Sequence, residues 1–306
     1  GGGGWRRALA VLGGMRDDGV RPNAVCYASA MRVCREAGRA REVFALLEEM
    51  KARGLVLSAV PYHLALGACA RPVPRAGKAL ALLEEMKAAA DPARRPTLYS
   101  YNSVIAAVGN NHLLALRLLE ELRGRGLRPD AYSYSLAIAA CLRARATTRA
   151  QALVAEMREA GVAPDAGCVI VCLNACLQGP GEGWRAAFAY LEELQESQDV
   201  ELTVVSYNIL LSACNKGGMP ERALELYEEM LDEDVEPDVV TFTTLIQIFS
   251  SNWEKAQGFL EDMKQRGVAP NVVTYGAALA AARHTGRGRG HPPGAGAGAG
   301  AAAAAA

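Results

Sequence analysis

The sequence has little histidine, few aromatic residues and no excess of charge of either sign. Four His and 6% Phe, Trp and Tyr stand among 306 residues, and 33 Lys and Arg balance 33 Asp and Glu. No uninterrupted apolar run reaches the roughly 18 residues that a spanning helix needs, so no membrane partner is expected. No Cys-x-x-Cys pair occurs, and none of His63, His112, His284 or His291 begins a His-x-Glu phrase. A zinc deaminase needs both, one to hold the metal and the other to move the proton. Walker, nucleophile-elbow and dinucleotide fingerprints are missing from any suitable context. Cys168, Cys172 and Cys176 repeat every four residues on one helix face with no His beside them, so they are expected to be buried thiols. These absences predict a chain with no catalysis, no cofactor, no metal and no small-molecule substrate. The eight Cys follow no framework spacing and no secretory signal is visible, which fits free thiols in a reducing compartment. Wholesale disorder is excluded by a 51% apolar composition.

The neutral total hides an asymmetry. Residues 1–165 carry 24 basic and 15 acidic side chains, and residues 166–306 carry 9 and 18. A polyanion would feel the first part more than the second. The chain opens Gly1-Gly2-Gly3-Gly4-Trp5 without an initiator Met, so a fragment is expected, with any targeting segment outside it.

What the chain does have is a repeat. Leu-Leu-Glu-Glu-Met fills 46–50 and 82–86, and close variants fill 118–122, 190–194, 226–230 and 259–263. With Met15 and Met157 added, the anchors fall at 15, 50, 86, 122, 157, 194, 230 and 263, in steps of 33 to 37. A period of this size marks stacked supersecondary units. A second phrase closes the best copies: Gly19-Val-Arg-Pro-Asn23, Gly126-Leu-Arg-Pro-Asp130, Gly161-Val-Ala-Pro-Asp165 and Gly267-Val-Ala-Pro-Asn271, with Asp234-Val-Glu-Pro-Asp238 lacking the Gly. Gly suits a helix C′ position, Pro blocks continuation, and Asp or Asn caps the next helix.

Each unit contains two amphipathic helices. In 204–238 the first is expected over about 205–216, with Tyr207, Leu210, Leu211 and Cys214 on one face. Gly217-Gly218-Met219-Pro220 breaks it, and the second follows over about 221–231. The Met and Leu anchors are expected in the core and the Glu-Glu pairs on solvated faces. Seven units result: 24–58, 59–97, 98–130, 131–165, 166–203, 204–238 and 239–271. Half units flank them, so the array spans 5–283, and further repeats are expected on both sides because neither end carries a capping helix. The Gly/Ala-rich segment 284–306 is expected to be disordered.

These phrases carry a resemblance. Val205-Ser-Tyr-Asn208, Val240-Thr-Phe-Thr243, Val273-Thr-Tyr-Gly276, Tyr99-Ser-Tyr-Asn102 and Tyr132-Ser-Tyr-Ser135 open their units. Together with the Glu-Glu-Met and Pro-Asp phrases they resemble the pentatricopeptide repeat family, P-type arrays in particular, over about 5–283. Units 59–97 and 166–203 depart from the pattern in length and in their closing phrase. The resemblance implies an all-α, right-handed superhelical solenoid of helix-turn-helix repeats of about 35 residues. It also implies single-stranded RNA as partner, one base per repeat, in a mitochondrion or chloroplast. RNA-processing proteins are further candidate partners.

In that family the fifth and last residues of a repeat choose the base, and second residues of adjacent repeats sandwich it. The chemistry of the choice can be argued. Uracil and guanine present a ring N–H to an Asp carboxylate, whereas adenine and cytosine present a bare nitrogen that an Asn amide can meet. A short Ser or Thr at the fifth position leaves room for a purine, and a longer Asn favours a pyrimidine. Asn102 with Asp130 then suggests U, Ser135 with Asp165 suggests G, Asn208 with Asp238 suggests U, and Thr243 with Asn271 suggests A. Ile170 with Thr203 forms no such pair, and Ala28 with Ser58 and His63 with Thr97 fall outside the good combinations. By family polarity the site is 5′-U-G-N-U-A-3′. Tyr99, Tyr132, Val205, Val240 and Val273 are the expected sandwich residues. Arg71, Arg143 and Lys216 occupy the expected phosphate position near the end of a first helix. The rival expectation is a protein-binding scaffold whose groove holds a peptide.

Overall fold

The structure is a computed structural model, and it describes residues 3–70, 75–179, 182–197 and 202–287. Described residues form helices, turns and connecting coil, with no strand among them. Two compact units divide the chain, 1–181 and 182–306.

The first unit holds α1 (Gly4–Asp17), α2 (Ala24–Glu36), α3 (Ala40–Ala52), α4 (Ala59–Ala70), α5 (Ala76–Ala88), α6 (Leu98–Val108), α7 (His112–Gly124), α8 (Ala131–Arg143), α9 (Thr147–Glu159) and α10 (Ala166–Leu177). The even-numbered helices are the first helices of repeats. Each packs on the next of its kind and on the second helices beside it, which makes two layers. The second unit repeats this plan. First helices α12 (Val204–Gly217), α14 (Val239–Ile248) and α16 (Val272–Arg287) stack, with α11 (Gly183–Ser197), α13 (Pro220–Asp232) and α15 (Trp253–Gln265) against them.

The expected breaks are where the phrases lie. Gly19, Gly126, Gly161 and Gly267 all take positive φ, between 64° and 76°, where a Cβ would be strained. Asp234, the one substitute in that phrase, holds φ 55° regardless. Helices α12 and α13 each extend one residue beyond both expected ends. Gly217 and Pro220 therefore belong to helices, and only Gly218 and Met219 form the break. Helix α16 also runs on to Arg287, past the expected end of the array at 283. It packs on α14 and α15, with Ala278 and Ala281 buried beside Ile246 and Ala256. Residues 288–306 lie outside the described residues.

The anchors form the core. Met50, Met86, Met230 and Met263 are fully buried, and so are Tyr27, Tyr62, Tyr101 and Phe242 at the fourth position of their repeats. Cys168, Cys172 and Cys176 are buried on α10. A hydrogen bond with Cys172 and burial push the Cys168 thiol far above its ordinary value, so it stays protonated.

The Glu-Glu pairs need a correction. The first Glu is solvated, as at Glu48 and Glu84, whereas the second, at Glu49, Glu85 and Glu121, is less exposed and engaged by neighbouring helices. Glu49 accepts from the Tyr27 hydroxyl at 2.9 Å and from Arg16 at 2.7 Å. Glu85 accepts from Tyr62 at 2.6 Å and from Lys51 at 2.7 Å. Glu121 accepts from Tyr101 at 2.9 Å and pairs with Lys87 at 2.6 Å. Glu156 meets Tyr134 and Arg123 in the same way. Each rung joins a cation on one second helix, a carboxylate on the next, and a buried phenol on the first helix between them. A helical wheel of one helix cannot show this, because all three partners sit on different helices.

Candidate nucleic-acid interface

The stack of first helices brings the fifth residue of one repeat to the N-terminus of the next first helix. That N-terminus is capped by the last residue of the repeat. Thr97, Asp130, Asp165, Thr203 and Asp238 each accept a hydrogen bond from a backbone N–H in the first turn that follows. The last residue is thus held by its own cap, and the fifth residue is delivered to it by packing.

Asn102 Nδ2 donates to Asp130 Oδ1 at 3.2 Å, and the Ser133 hydroxyl lies 2.7 Å from Asn102 Oδ1 and 2.7 Å from Asp130 Oδ1. The second unit reproduces this triangle. Asn208 Nδ2 donates to Asp238 Oδ1 at 3.1 Å, with the Thr241 hydroxyl 2.8 Å from Asn208 Oδ1. Thr243 and Asn271 are joined through Thr274, whose hydroxyl is 2.8 Å from the first and 3.1 Å from the second. Ser135 and Asp165 are not joined. The Ser135 hydroxyl donates to the Tyr132 carbonyl, and the third residue of the following repeat is Cys168, a thiol, in place of the bridging hydroxyl.

A fourth triangle comes from a repeat whose residues had looked unsuitable. His63 Nε2 lies 3.1 Å from the Thr97 hydroxyl and 3.1 Å from that of Ser100. Burial lowers the His63 pKa and keeps the imidazole neutral. The signal available was Ser100, at the same register as Ser133, Thr241 and Thr274. Ile170 and Thr203 form no such cluster: Thr203 caps α12, and the Ile170 carbonyl accepts from Asn174. Ala28 has only a methyl to offer, and Ser58 accepts from Val60.

The carboxylates in these triangles are held ionised. Burial works to raise the Asp130 pKa, but hydrogen bonds from the Ser133 side chain and backbone and from Asn102 outweigh it, and the net shift is downward. Asp238 is lowered likewise, burial being overcome by Thr241 and Asn208.

Flanking the triangles is a row of exposed apolar side chains. Tyr99, Tyr132, Val205, Val240 and Val273 are 45% to 59% exposed, and Val25 and Val60, at the same second position, stand out beside them. In the first unit the register closes on Gly167, in the repeat that also lacks a usable pair. Large apolar groups repeatedly presented to solvent at one register mark a binding face. In the first unit a cavity of about 660 Å³ opens between Tyr99 and Tyr132, with Asn102 and Asp130 on its wall.

Cations are sparser. Arg143 is exposed but donates to the Gly109 carbonyl at 2.9 Å, and Lys216 is exposed in the last turn of α12. Arg71 lies outside the described residues. Arg35, one position short of the expected register, lines the cavity instead.

Comparison with known proteins agrees with the repeat architecture. A model described as "Pentatricopeptide repeat domain" matches 45–111 and 117–176. One described as "PPR repeat family" matches 202–251, and a "PPR repeat" model matches 25–55 and 240–268. Among curated relatives, the chloroplastic pentatricopeptide repeat-containing protein 10 of Zea mays is 30% identical over 104 residues, which are 33% of this chain and 13% of that protein. A chloroplastic pentatricopeptide repeat-containing protein of Arabidopsis thaliana is 33% identical over 101 residues, 32% of this chain and 21% of that one. The chain thus matches only a minor part of these relatives' length. The crystal structure of maize PPR10 superposes with a TM-score of 0.52 at 24% identity, over 94% of this chain and 45% of that one. PPR10 in complex with an 18-nt psaJ RNA element gives 0.53 at 20% identity, over 94% and 47%. The recurring phrases, the stacked helical hairpins and the matching repeat models converge: this chain belongs to the pentatricopeptide repeat family.

Proposed function

We propose that this chain binds single-stranded RNA with sequence bias, one base per repeat, and acts by occupancy in organellar RNA processing, stabilisation or translation. One observation carries the proposal. The triangle of fifth residue, last residue and bridging hydroxyl recurs at one register in both units, beside a row of exposed apolar second residues. A hydrogen-bonding pair that reads a base edge and an apolar platform that packs on its face are what an unpaired base needs. The solved relative that holds an RNA element shares the fold, and the relatives' chloroplastic names support an organelle. Bases are assigned as U at 98–130, G at 131–165, U at 204–238 and A at 239–271. With few cations along the face, affinity should be modest and salt-dependent.

The test is selection from a random single-stranded RNA pool at moderate salt. Enrichment of U-G-N-U-A is expected, and folded protein that retains no RNA even at low salt would sink the proposal.

A pH series adds a second check. The Asp130 and Asp238 carboxylates have depressed pKa values, so the acceptor form is present at neutral pH and is lost only as pH falls through those depressed values. Preference for U over C at these repeats should therefore stay level from about pH 8 down to about pH 5. Fluorescence anisotropy with paired oligonucleotides measures it. A preference that fades between about pH 7 and 6, where only imidazoles titrate, would contradict these carboxylates as readers.

A further inference from the structure

The second helices form the layer that carries none of the triangles, and two of the grooves between them are closed in the same way. Phe44 on α3 and Phe188 on α11 each stand six residues before their anchor, and Lys78 on α5 and Arg222 on α13 stand eight before the next one. The cation covers the ring: Lys78 Nζ lies 4.5 Å from the centre of Phe44, and Arg222 Cζ lies 5.9 Å from that of Phe188. The groove between α13 and α15 has the same register and is open. Leu224 takes the place of the Phe and Lys255 that of the cation, but Lys255 Nζ lies over Phe249 of its own repeat, 4.9 Å from the ring centre. Gly258 widens the gap. It stands five residues before its anchor, where the other second helices carry Ala, Arg or Glu, and a Cβ there would meet nothing within 4 Å. The result is a notch of about 280 Å³ floored by Leu224, Gly258 and Phe259, with Lys255 and Asp262 at its edge. Asp262 is fixed there, accepting from the Tyr227 hydroxyl at 2.5 Å and from Arg266 at 2.9 Å.

We propose that this groove docks a basic amphipathic helix of a partner protein, which places one bulky apolar side chain in the notch. Charge selects the occupant. Glu221, Glu225, Glu228 and Asp232 are all exposed and fall every three or four residues, so they line one face of α13 beside Leu224. Together α13 and α15 carry eight acidic and three basic side chains. Such a rim repels the phosphates of a nucleic acid and attracts Lys and Arg, so the occupant is a polypeptide. An apolar notch between two helices receives an amphipathic helix by its apolar anchor, with the polar rim fixing its direction. Glu225 already holds Arg222 at 2.7 Å, so Glu221, Glu228 and Asp232 are the carboxylates that meet the partner. They lie in water and are screened, so they steer the approach while the apolar side chain supplies affinity. The site goes beyond RNA binding and leaves the first helices clear, so partner and RNA can be held together.

The probe is a displayed library of amphipathic helices about five turns long, randomised in charge and at the apolar positions, and selected on the full 306-residue chain. The enriched helices should carry Lys and Arg beside a Leu, Met or Phe. One of them, made as a labelled peptide, is then titrated by fluorescence anisotropy. G258L fills the notch from an exposed helix position and should weaken binding at least about tenfold, the effect of one large apolar side chain left unburied. E228K should weaken it by a smaller factor that shrinks as salt rises. E120K, the same charge change on α7, should leave it unchanged, and K255Q should strengthen it. The U-G-N-U-A oligonucleotide should bind G258L as it binds the wild type and should not displace the peptide. Circular dichroism verifies that each variant is folded. A selection that enriches nothing, or enriches acidic helices, would overturn the proposal. So would a peptide that binds G258L as tightly as the wild type. Equal weakening by E120K and E228K would replace the groove with diffuse attraction, and displacement by RNA would move the peptide to the first helices; either would reject this site.

Discussion

Changing Asn102 to Thr together with Asp130 to Asn should turn repeat 98–130, for which we propose U, into one that selects A. The second unit supplies the template, for Thr243 and Asn271 occupy those positions in their repeat and are bridged by the Thr274 hydroxyl. In repeat 98–130 the Ser133 hydroxyl is at the same place and can bridge the new pair. The exchange is safe for the fold because Asn caps a helix about as well as Asp does, so α8 keeps its N-terminus. Presenting the wrong ring nitrogen to a polar wall leaves a group unpaired at a cost of roughly 1–3 kcal/mol. With the wild type expected to prefer U and the variant A, the ratio of affinities for the two oligonucleotides should move by at least about 30-fold. Competition binding with U-G-N-U-A and A-G-N-U-A measures this. A preference for U that survives both substitutions would mean that these residues only cap and pack.

That same dual use explains how much was legible in the sequence. The last residue of each repeat must cap a helix, so it is drawn from Asp, Asn, Thr and Ser, the residues that also read a base edge. Breaks, caps and anchors are local, and Gly126, Pro129 and Asp130 announce theirs within five residues. The core followed from Met and Leu recurring at the repeat period. What could not be read was whatever depends on three helices at once. In the first unit Glu49, Glu85 and Glu121 look solvated on their own helices and are half-enclosed only when a Tyr and a cation arrive from two others. Arg35 and Tyr99 are 64 residues apart, and nothing in either phrase links them. His63 matches no base-reading pair by residue type, yet Thr97 and Ser100 make it the apex of the same triangle. Ser135 and Asp165 stand unjoined because Cys168 occupies the position of the bridging hydroxyl.

Replacing Glu121 with Ala should destabilise the first unit far more than replacing its neighbour Glu120. Glu120 is exposed, and its removal should cost no more than about 0.5 kcal/mol. Glu121 accepts from the hydroxyl of Tyr101, a side chain with no exposed surface, and pairs with Lys87, whose side chain is 13% exposed. Without it the phenol loses its partner and the ammonium, in a largely enclosed place, keeps only the exposed Glu84 as counter-charge. The lost hydrogen bond costs roughly 1–3 kcal/mol. The ion pair adds less, since the Glu121 side is 33% exposed and solvent screens it, and about 2–4 kcal/mol in all is expected. Y101F, which keeps the ion pair, should cost only about 1 kcal/mol. Burial tends to raise the Glu121 pKa, but hydrogen bonds from Lys87 and Tyr101 prevail and lower it. Its stabilisation is thus present above the ordinary carboxylate value and is lost as pH falls through the depressed one. An array of repeats need not unfold in one step, so hydrogen exchange in α5, α6 and α7 is the proper measurement beside the melt. Loss of protection confined to those helices, and absent in E120A, would identify the rung as the coupling between successive repeats. Equal effects from both substitutions would mean that the ladder contributes nothing beyond its solvated charge.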